Sequence, residues 1–322
     1  MNADRETTIP ARPEAIAPAP GERHARLAGP SLPLDPRSHV ARDGVVEIAL
    51  ADSVAAARYV EPAAMRCRVP RVPMRNRGDA GTTAVSELLW GEAFDLFDIA
   101  GDWALGRSVA DRYTGWVPAA ALDSDVAAPA GPRVTARSAP LFALADIKAP
   151  VLADLPFGAR LSGVAGDRFF AVAGGGFVHN RHLGIGMAQP GALPEALLDA
   201  ARHFTGAPYV WGGRTPLGVD CSGLVQAALA ACGISAPRDT DQQLAAIGIG
   251  VSFDDRLAGD LVYFPGHVGI LASGDRLFHA NAHWMTTVEE PLDDVIGRLS
   301  AAGVDAPVTG VRRPTFQMIS AA

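Results

Sequence analysis

The chain has 322 residues, 48% of them hydrophobic, and 35 acidic against 28 basic side chains give a net charge of -7. This is enough apolar material for a substantial core and enough length for two or three domains, while an acidic balance without a basic block argues against nucleic acid or an anionic membrane surface as a main partner. Three cysteines, Cys67, Cys221 and Cys232, are too few for a disulfide framework, so reduced thiols are expected.

Residues 1–37 hold seven prolines among Ala, Arg and Glu, a composition that buries little and predicts a disordered tail. The N-terminal run MNADRETTIPARPEAIAPAPGERHARL lacks a signal peptide's apolar core, and no run of about 18 apolar residues could span a bilayer. A cytoplasmic location without a membrane partner is the expectation.

From about residue 40, short apolar segments separated by Gly, Asp and Asn read as small antiparallel strands. Two such regions, 38–124 and 125–188, resemble each other. Gly91, Ala100-Gly101-Asp102-Trp103 and Gly115-Trp116-Val117 with Leu122 recur as Gly158, Ala165-Gly166-Asp167-Arg168 and Gly176-Phe177-Val178 with Leu183. The repeat predicts two copies of a small barrel. Through ELLWGEAFDLFDIAGDW followed by DRYTGWVP, the first copy resembles a bacterial SH3-like domain. The second has Phe177 for Trp116 and His179 for Pro118, so the resemblance implies its fold and not its surface function.

A third domain is expected over 189–322. PGALPEALLDAARHF has apolar residues at helical spacing, and Asp260 to Phe264, Val268 to Leu271 and Arg276 to Ala280 read as strands joined by Pro-Gly and Ser-Gly-Asp turns. Helix followed by sheet makes this domain α+β.

Within it, GVDCSGLVQAA joins a glycine-rich loop to a run of strong helix formers, placing Cys221 near a helix N-terminus. Free N–H groups and the helix dipole stabilise a thiolate there, and can bring a cysteine pKa from about 8.5 to roughly 3.5–7.5. The opposing reading is packing, because Cys221, Val225, Ala228 and Cys232 share one helical face. A helix puts the two cysteines roughly 16 Å apart, too far for a disulfide, and Cys232 and Cys67 read as core.

A nucleophilic cysteine needs an imidazole within reach and a polar group to orient it. His267 follows Pro265-Gly266 and opens the strand HVGIL, where alternation puts it on one face with Gly269 and leaves open space beside the ring. His279 lies near the end of the next strand. His279 and His283 have the spacing of a helical zinc motif, but Ala280 stands where the catalytic Glu would be and the approach is a strand, so neither a metal nor another cofactor is expected.

These segments carry a family resemblance. YVWGGRTPLGVDCSGLVQAAL, PRDTDQQ, AGDLVYFPGHVGIL and LFHANAHWM, in that order, make the third domain similar to the NlpC-type cysteine peptidases, papain-like hydrolases of bacterial cell-wall peptides. The resemblance implies Cys221 as nucleophile, His267 as general base and acid, and His279 as the residue orienting the His267 ring. It also implies oxyanion stabilisation by Tyr209 and the Cys221 N–H.

Two SH3-like domains ahead of such a peptidase resemble the dipeptidyl-peptidase branch, which cleaves the γ-D-glutamyl to diamino-acid bond of murein peptides with a free N-terminal L-alanine. By that resemblance Asp220 and an acidic residue of the first SH3-like domain, Glu92 or Glu87, would hold the substrate ammonium, Tyr113 would line the groove, and Ser222 would bind the glutamyl α-carboxylate. Trp211 and Arg214 are further groove candidates. Other readings are a helix cap for Asp220, barrel core for Tyr113 and an ordinary turn for Glu92. The expected fold is a papain-like peptidase domain behind two all-β SH3-like barrels. Two alternatives stay open: acyl or amide transfer by the same triad, and a peptidoglycan-binding module with an inactive third domain. The residues do not fix an oligomeric state.

Overall fold

The computed structural model describes residues 34–42, 44–124, 131–185 and 191–316. Most of the expected tail, 1–33, lies outside the described residues. Its last residues need a correction, because the compact unit begins at Leu34. Asp35 and Arg37 are held there by ion pairs that reach Asp239 and Asp241, which a disordered tail would not supply.

Among the described residues, a seven-stranded antiparallel sheet spans residues 63–123, and its core is built on Met74, Leu88, Phe94, Ala104 and Val117. Ahead of it a three-stranded sheet departs from the expected antiparallel pattern. Val45–Glu47 and Arg58–Val60 pair in parallel, because the chain between them passes through a 3-10 turn at Ile48–Leu50 and returns in the same direction. A five-stranded sheet within 138–179 has its own core around Leu155, Leu161 and Val178, and the pair Arg133–Val134 with Leu183–Gly184 adjoins it.

The C-terminal part contains helices α1 (Leu193–Arg202), α2 (Cys221–Ala231), α3 (Thr240–Ala246) and α4 (Leu292–Ala301). Its sheet consists of β1 (Ile249–Val251), β2 (Leu261–Phe264), β3 (His267–Ser273), β4 (Arg276–Asn281), β5 (Thr286–Pro291) and β6 (Gly310–Arg313), in the order β1-β6-β2-β3-β4-β5. Strand alternation gives this sheet two apolar faces. Val268, Ile270, Phe278 and Ala280 pack with Leu224, Val225 and Ala228 of α2, whereas Leu271 and Leu277 pack with Leu292 and Val295 of α4. The space over Gly269 is not open, as the period-two reading expected. A Cβ there would lie 2.7 Å from Leu277, whose side chain fills it.

Helix α2 has clear chemical boundaries. Asp220 caps its start by accepting the Gly223 N–H at 2.8 Å. Gly233, at a φ of 83°, ends it, and the Ile234 N–H closes back on the Leu229 carbonyl. The stripe Cys221, Val225, Ala228 and Cys232 is buried, as are most other residues of the helix. Cys67, Cys221 and Cys232 are free thiols.

The first barrel and the C-terminal part are joined by a buried ion pair. Arg214 donates to Glu92 at 2.9 and 3.1 Å and to the Glu87 carbonyl at 2.7 Å, and Glu87 Oε2 accepts the Arg214 N–H at 2.8 Å. Arg71 takes the other Glu87 oxygen at 2.7 Å. Arg214 and Glu92 are each about 95% buried, so removing one partner strands a charge in a poorly solvating place. Glu92→Ala is expected to lower stability by about 3–5 kcal/mol, seen as an earlier urea midpoint with an unchanged slope. A midpoint that stays put would disprove this structural role.

Candidate active site

The site is built where α2 meets β3. Asp220 does more than cap the helix: its Oδ2 accepts the Gly212 N–H at 2.8 Å, and the Arg238 guanidinium bonds Oδ1 at 3.0 Å and Oδ2 at 2.6 Å. Arg238 is 1% exposed, and it also reaches Ser222 Oγ at 2.8 Å and Ser86 Oγ of the first barrel at 3.2 Å. A Cβ at Gly223 would fall 2.2 Å from the Gly213 carbonyl. The motif therefore needs glycine so that the YVWGG loop can lie against the first turn of α2.

Cys221, one residue into this cradle, is 5% exposed. The helix N-terminus does not lower its pKa as the local pattern predicts. Burial and the neighbouring Asp220 charge push the thiol up to about 11, against the pull of hydrogen bonds from the Val268 and Ser222 N–H groups. Tyr209 sits beside Cys221 and Asp220, and burial together with their charge raises its phenol pKa.

On the sheet side, the Pro265-Gly266 turn, with Gly266 at a φ of 68°, starts β3 at His267. His267 Nε2 lies 2.8 Å from His279 Nδ1 on β4, and His279 Nε2 lies 2.8 Å from Glu290 Oε1 on β5. His279 is fully buried. Burial first, then the His279 ring, holds the His267 pKa down to about 3. Burial also lowers that of His279, which Glu290 opposes. Burial works against the Glu290 charge as well, yet hydrogen bonds from Arg298, Trp284 and His279 hold its pKa down to about 2.

A cavity of about 240 Å³ opens over Cys221, with Ser222, Trp211, Tyr113, Asp239 and Arg37 in its wall. The Tyr113 hydroxyl donates to Asp239 Oδ2 at 3.0 Å, and Arg37 reaches the same oxygen at 2.9 Å. Among the described residues no His, Cys, Asp or Glu cluster could hold a metal ion.

This arrangement can be set beside known proteins. Residues 206–299 match the NlpC/P60 family, and residues 74–122 match the bacterial dipeptidyl-peptidase Sh3 domain. The C-terminal part of the chain is an NlpC/P60 domain. Over 104 residues the chain is 36% identical to the γ-D-glutamyl-L-lysine dipeptidyl-peptidase of Bacillus subtilis, covering 30% of this chain and 35% of that one. Over 96 residues it is 44% identical to a probable endopeptidase of Corynebacterium glutamicum, covering 29% and 46%. It thus spans less than half the length of either curated relative. The fold is similar to the crystal structure of an NlpC/P60 family protein from Bacillus cereus, with a TM-score of 0.65 at 19% identity over 78% of this chain and 99% of that one.

The structure brings some of the expected residues together at the NlpC/P60 cavity and leaves others elsewhere. Cys221, Asp220, Ser222, Tyr113 and Trp211 line it, and His267 and His279 are paired next to it through the Val268 contact to the thiol. Glu87, Glu92 and Arg214 do not line it. They are committed to one another, because a buried carboxylate or guanidinium must find a partner. Asp220 lines the cavity, with its oxygens also accepting the Gly212 and Gly223 N–H groups and the Arg238 guanidinium.

Four residues of the site were not singled out from the sequence: Arg37, Arg238, Asp239 and Glu290. Arg238 and Asp239 stand in the PRDTDQQ motif, which carried their signal without a role. Nothing local marks Arg37 or Glu290.

A half-buried and a fully buried histidine, both held neutral, make the fold sensitive to acid. The unfolded chain binds a proton on His267 below its ordinary pKa of 6.5, whereas the folded chain resists until about 3, so stability is complete above 6.5 and falls as the pH drops toward 3. Glu290, depressed from 4.5 to about 2, adds loss in the same direction below 4.5. Urea midpoints measured from pH 7 to pH 4 are expected to fall steadily, and less steeply in His267→Ala; a flat profile would contradict the neutral pair.

Proposed function

We propose that the chain is a cysteine peptidase that cleaves the γ-D-glutamyl to L-diamino-acid bond of murein peptides bearing a free N-terminal L-alanine, in the recycling of such peptides in the cytoplasm. The observation that carries the reading is the His267–His279 pair at 2.8 Å, with Val268, next to His267, donating its N–H to the Cys221 sulfur. These contacts support Cys221 as nucleophile, His267 as base and His279 as orienting group.

In this reading His267 takes the thiol proton as Cys221 Sγ attacks the amide carbonyl, and the C–N bond breaks as His267 returns that proton to the leaving amine. Water then attacks the thioester with His267 again as base, releasing the acid and restoring the thiol. The negative oxygen of each tetrahedral species is held by the N–H at the α2 start, where no intrahelical acceptor exists, and by the Tyr209 hydroxyl.

The acidic end of the cavity supports the dipeptidyl specificity. Asp239, 27% exposed at its side chain, shares its Oδ2 with Tyr113 and Arg37 and has the charge to receive a substrate ammonium. It lines the cavity together with Asp220, whereas the barrel glutamates do not. The γ-D-glutamyl-L-lysine dipeptidyl-peptidase relative points to the same bond.

Mass spectrometry of L-Ala-γ-D-Glu-meso-diaminopimelate after incubation is expected to show L-Ala-D-Glu and free diaminopimelate, with none formed by Cys221→Ala. N-acetylation of the substrate should abolish cleavage, and cleavage that tolerates it would remove the dipeptidyl claim. An added amine that captures the thioester in preference to water would convert the reading to a transferase. For Asp239→Asn, losing a charge-assisted contact worth about 1.5–3 kcal/mol should raise KM roughly 10-fold to 100-fold. A change confined to kcat would place Asp239 outside ammonium binding.

A further inference from the structure

Beyond the Cys221, His267 and His279 constellation, the chain of hydrogen bonds continues to a carboxylate, and its direction has a chemical consequence. We infer that Glu290 is a positioning residue that sets the tautomers of both imidazoles, so that the nitrogen of His267 left free to take a proton is Nδ1. The inference rests on the peptidase reading only in calling His267 the base.

An ionised Glu290 can only accept, and four donors converge on it. Arg298 donates to Oε2 at 2.8 Å and to Oε1 at 2.5 Å, the Trp284 indole N–H donates to Oε2 at 3.2 Å, and Asn281 Nδ2 lies 3.3 Å from Oε1. His279 Nε2, 2.8 Å from Oε1, must therefore carry its proton. A neutral His279 then has a bare Nδ1. His267 Nε2, 2.8 Å away, donates to that lone pair, and a neutral His267 carrying its proton on Nε2 has a bare Nδ1. Asn281 Nδ2 is also 3.2 Å from His279 Nε2, but its shared donor is satisfied by the carboxylate, and its Oδ1 accepts the His283 N–H at 2.6 Å.

The anchoring residues show why the carboxylate itself is required. In Glu290→Gln, an amide NH₂ faces two donors at either position, Trp284 and Arg298 at Oε2 or Arg298 and Asn281 at Oε1, but only at Oε1 can it gain an acceptor, His279 Nε2, so the carbonyl is favoured at Oε2. The NH₂ then points at His279 Nε2 and donates to it. Nδ1 of His279 becomes protonated, His267 must accept on Nε2, and the proton of His267 moves to Nδ1. The base then presents an N–H where a lone pair is needed. A purely structural ion pair between Glu290 and Arg298 would predict no such reversal.

The test is nitrogen NMR of the full chain labelled with ¹⁵N-histidine at neutral pH, which distinguishes protonated from bare ring nitrogens directly. The wild-type chain is expected to show His267 with a bare Nδ1 and a protonated Nε2, and Glu290→Gln to show the opposite or a mixture. Its kcat should fall on the order of 10²-fold to 10⁴-fold, the range for loss of a general base, with KM little changed. Arg298→Met keeps the carboxylate and should keep the wild-type tautomer. If Glu290→Gln fails to fold, the wild-type spectrum and that of Glu290→Asp, which also keeps an acceptor, decide the matter. A wild-type His267 protonated on Nδ1, a Glu290→Gln spectrum like wild type, or reversal in Arg298→Met would each overturn the inference. Because the spectra need no substrate, expected tautomers in a chain that cleaves no murein peptide would defeat the peptidase reading alone.

Discussion

The contact on which the site depends is the buried pair of Asp220 with Arg238. One carboxylate closes the first turn of α2, holds the Gly212 N–H of the preceding loop, and neutralises a guanidinium that reaches Ser222 and, across the domain contact, Ser86. Burying two charges is costly unless every donor and acceptor finds a partner, and here nearly all do. The result is a helix start whose position is set from three directions. Cys221 follows Asp220 directly, so its sulfur inherits that precision, and Gly223 allows the loop to approach as closely as the arrangement demands.

A second polar network is set in the opposite layer. His267, His279 and Glu290 belong to three adjacent strands, and sheet register brings them into line: Leu277 faces Glu290 and His279 faces Val288, which leaves His279 and Glu290 on the same face as diagonal neighbours. Burial disfavours charge on both imidazoles, and hydrogen bonds from Arg298, Trp284 and His279 together keep the carboxylate ionised. The network therefore stores its polarity in hydrogen-bond direction, not in net charge, which suits a base that must remain neutral until a thiol proton reaches it. Between the two layers, the apolar contact of Val268, Ile270 and Phe278 with Leu224 and Val225 keeps helix and sheet at a fixed separation.

Much of this was legible in the residues. The helix over Cys221 has its cap, its strong formers and its terminating Gly233 within a short window, and β3 and β4 show alternation bounded by turns. Legibility stopped where a side chain's partner lay far along the chain. Arg37 meets Asp239 across 202 positions, and Arg214 meets Glu92 across 122, distances at which no periodicity speaks. Glu92 and Asp220 were therefore read by their sign, as acids available to a cation, although each was already occupied by an arginine. The Cys221 thiol shows a related limit: the helix terminus is a local property, whereas burial is a property of everything packed around it.

By itself the sequence determined the elements, their order, and the residue types able to do nucleophilic chemistry, because these follow from local propensity, spacing and motif. Only the tertiary structure decided which partner each acid meets. Charge in a protein interior is governed by partners and by exclusion of water, and both are set by chain segments that meet only after folding. Thus Asp239 meets Arg37 and Asp220 meets Arg238 in the cavity wall, and Glu290, unmarked by any neighbouring residue, stands at the end of the histidine relay.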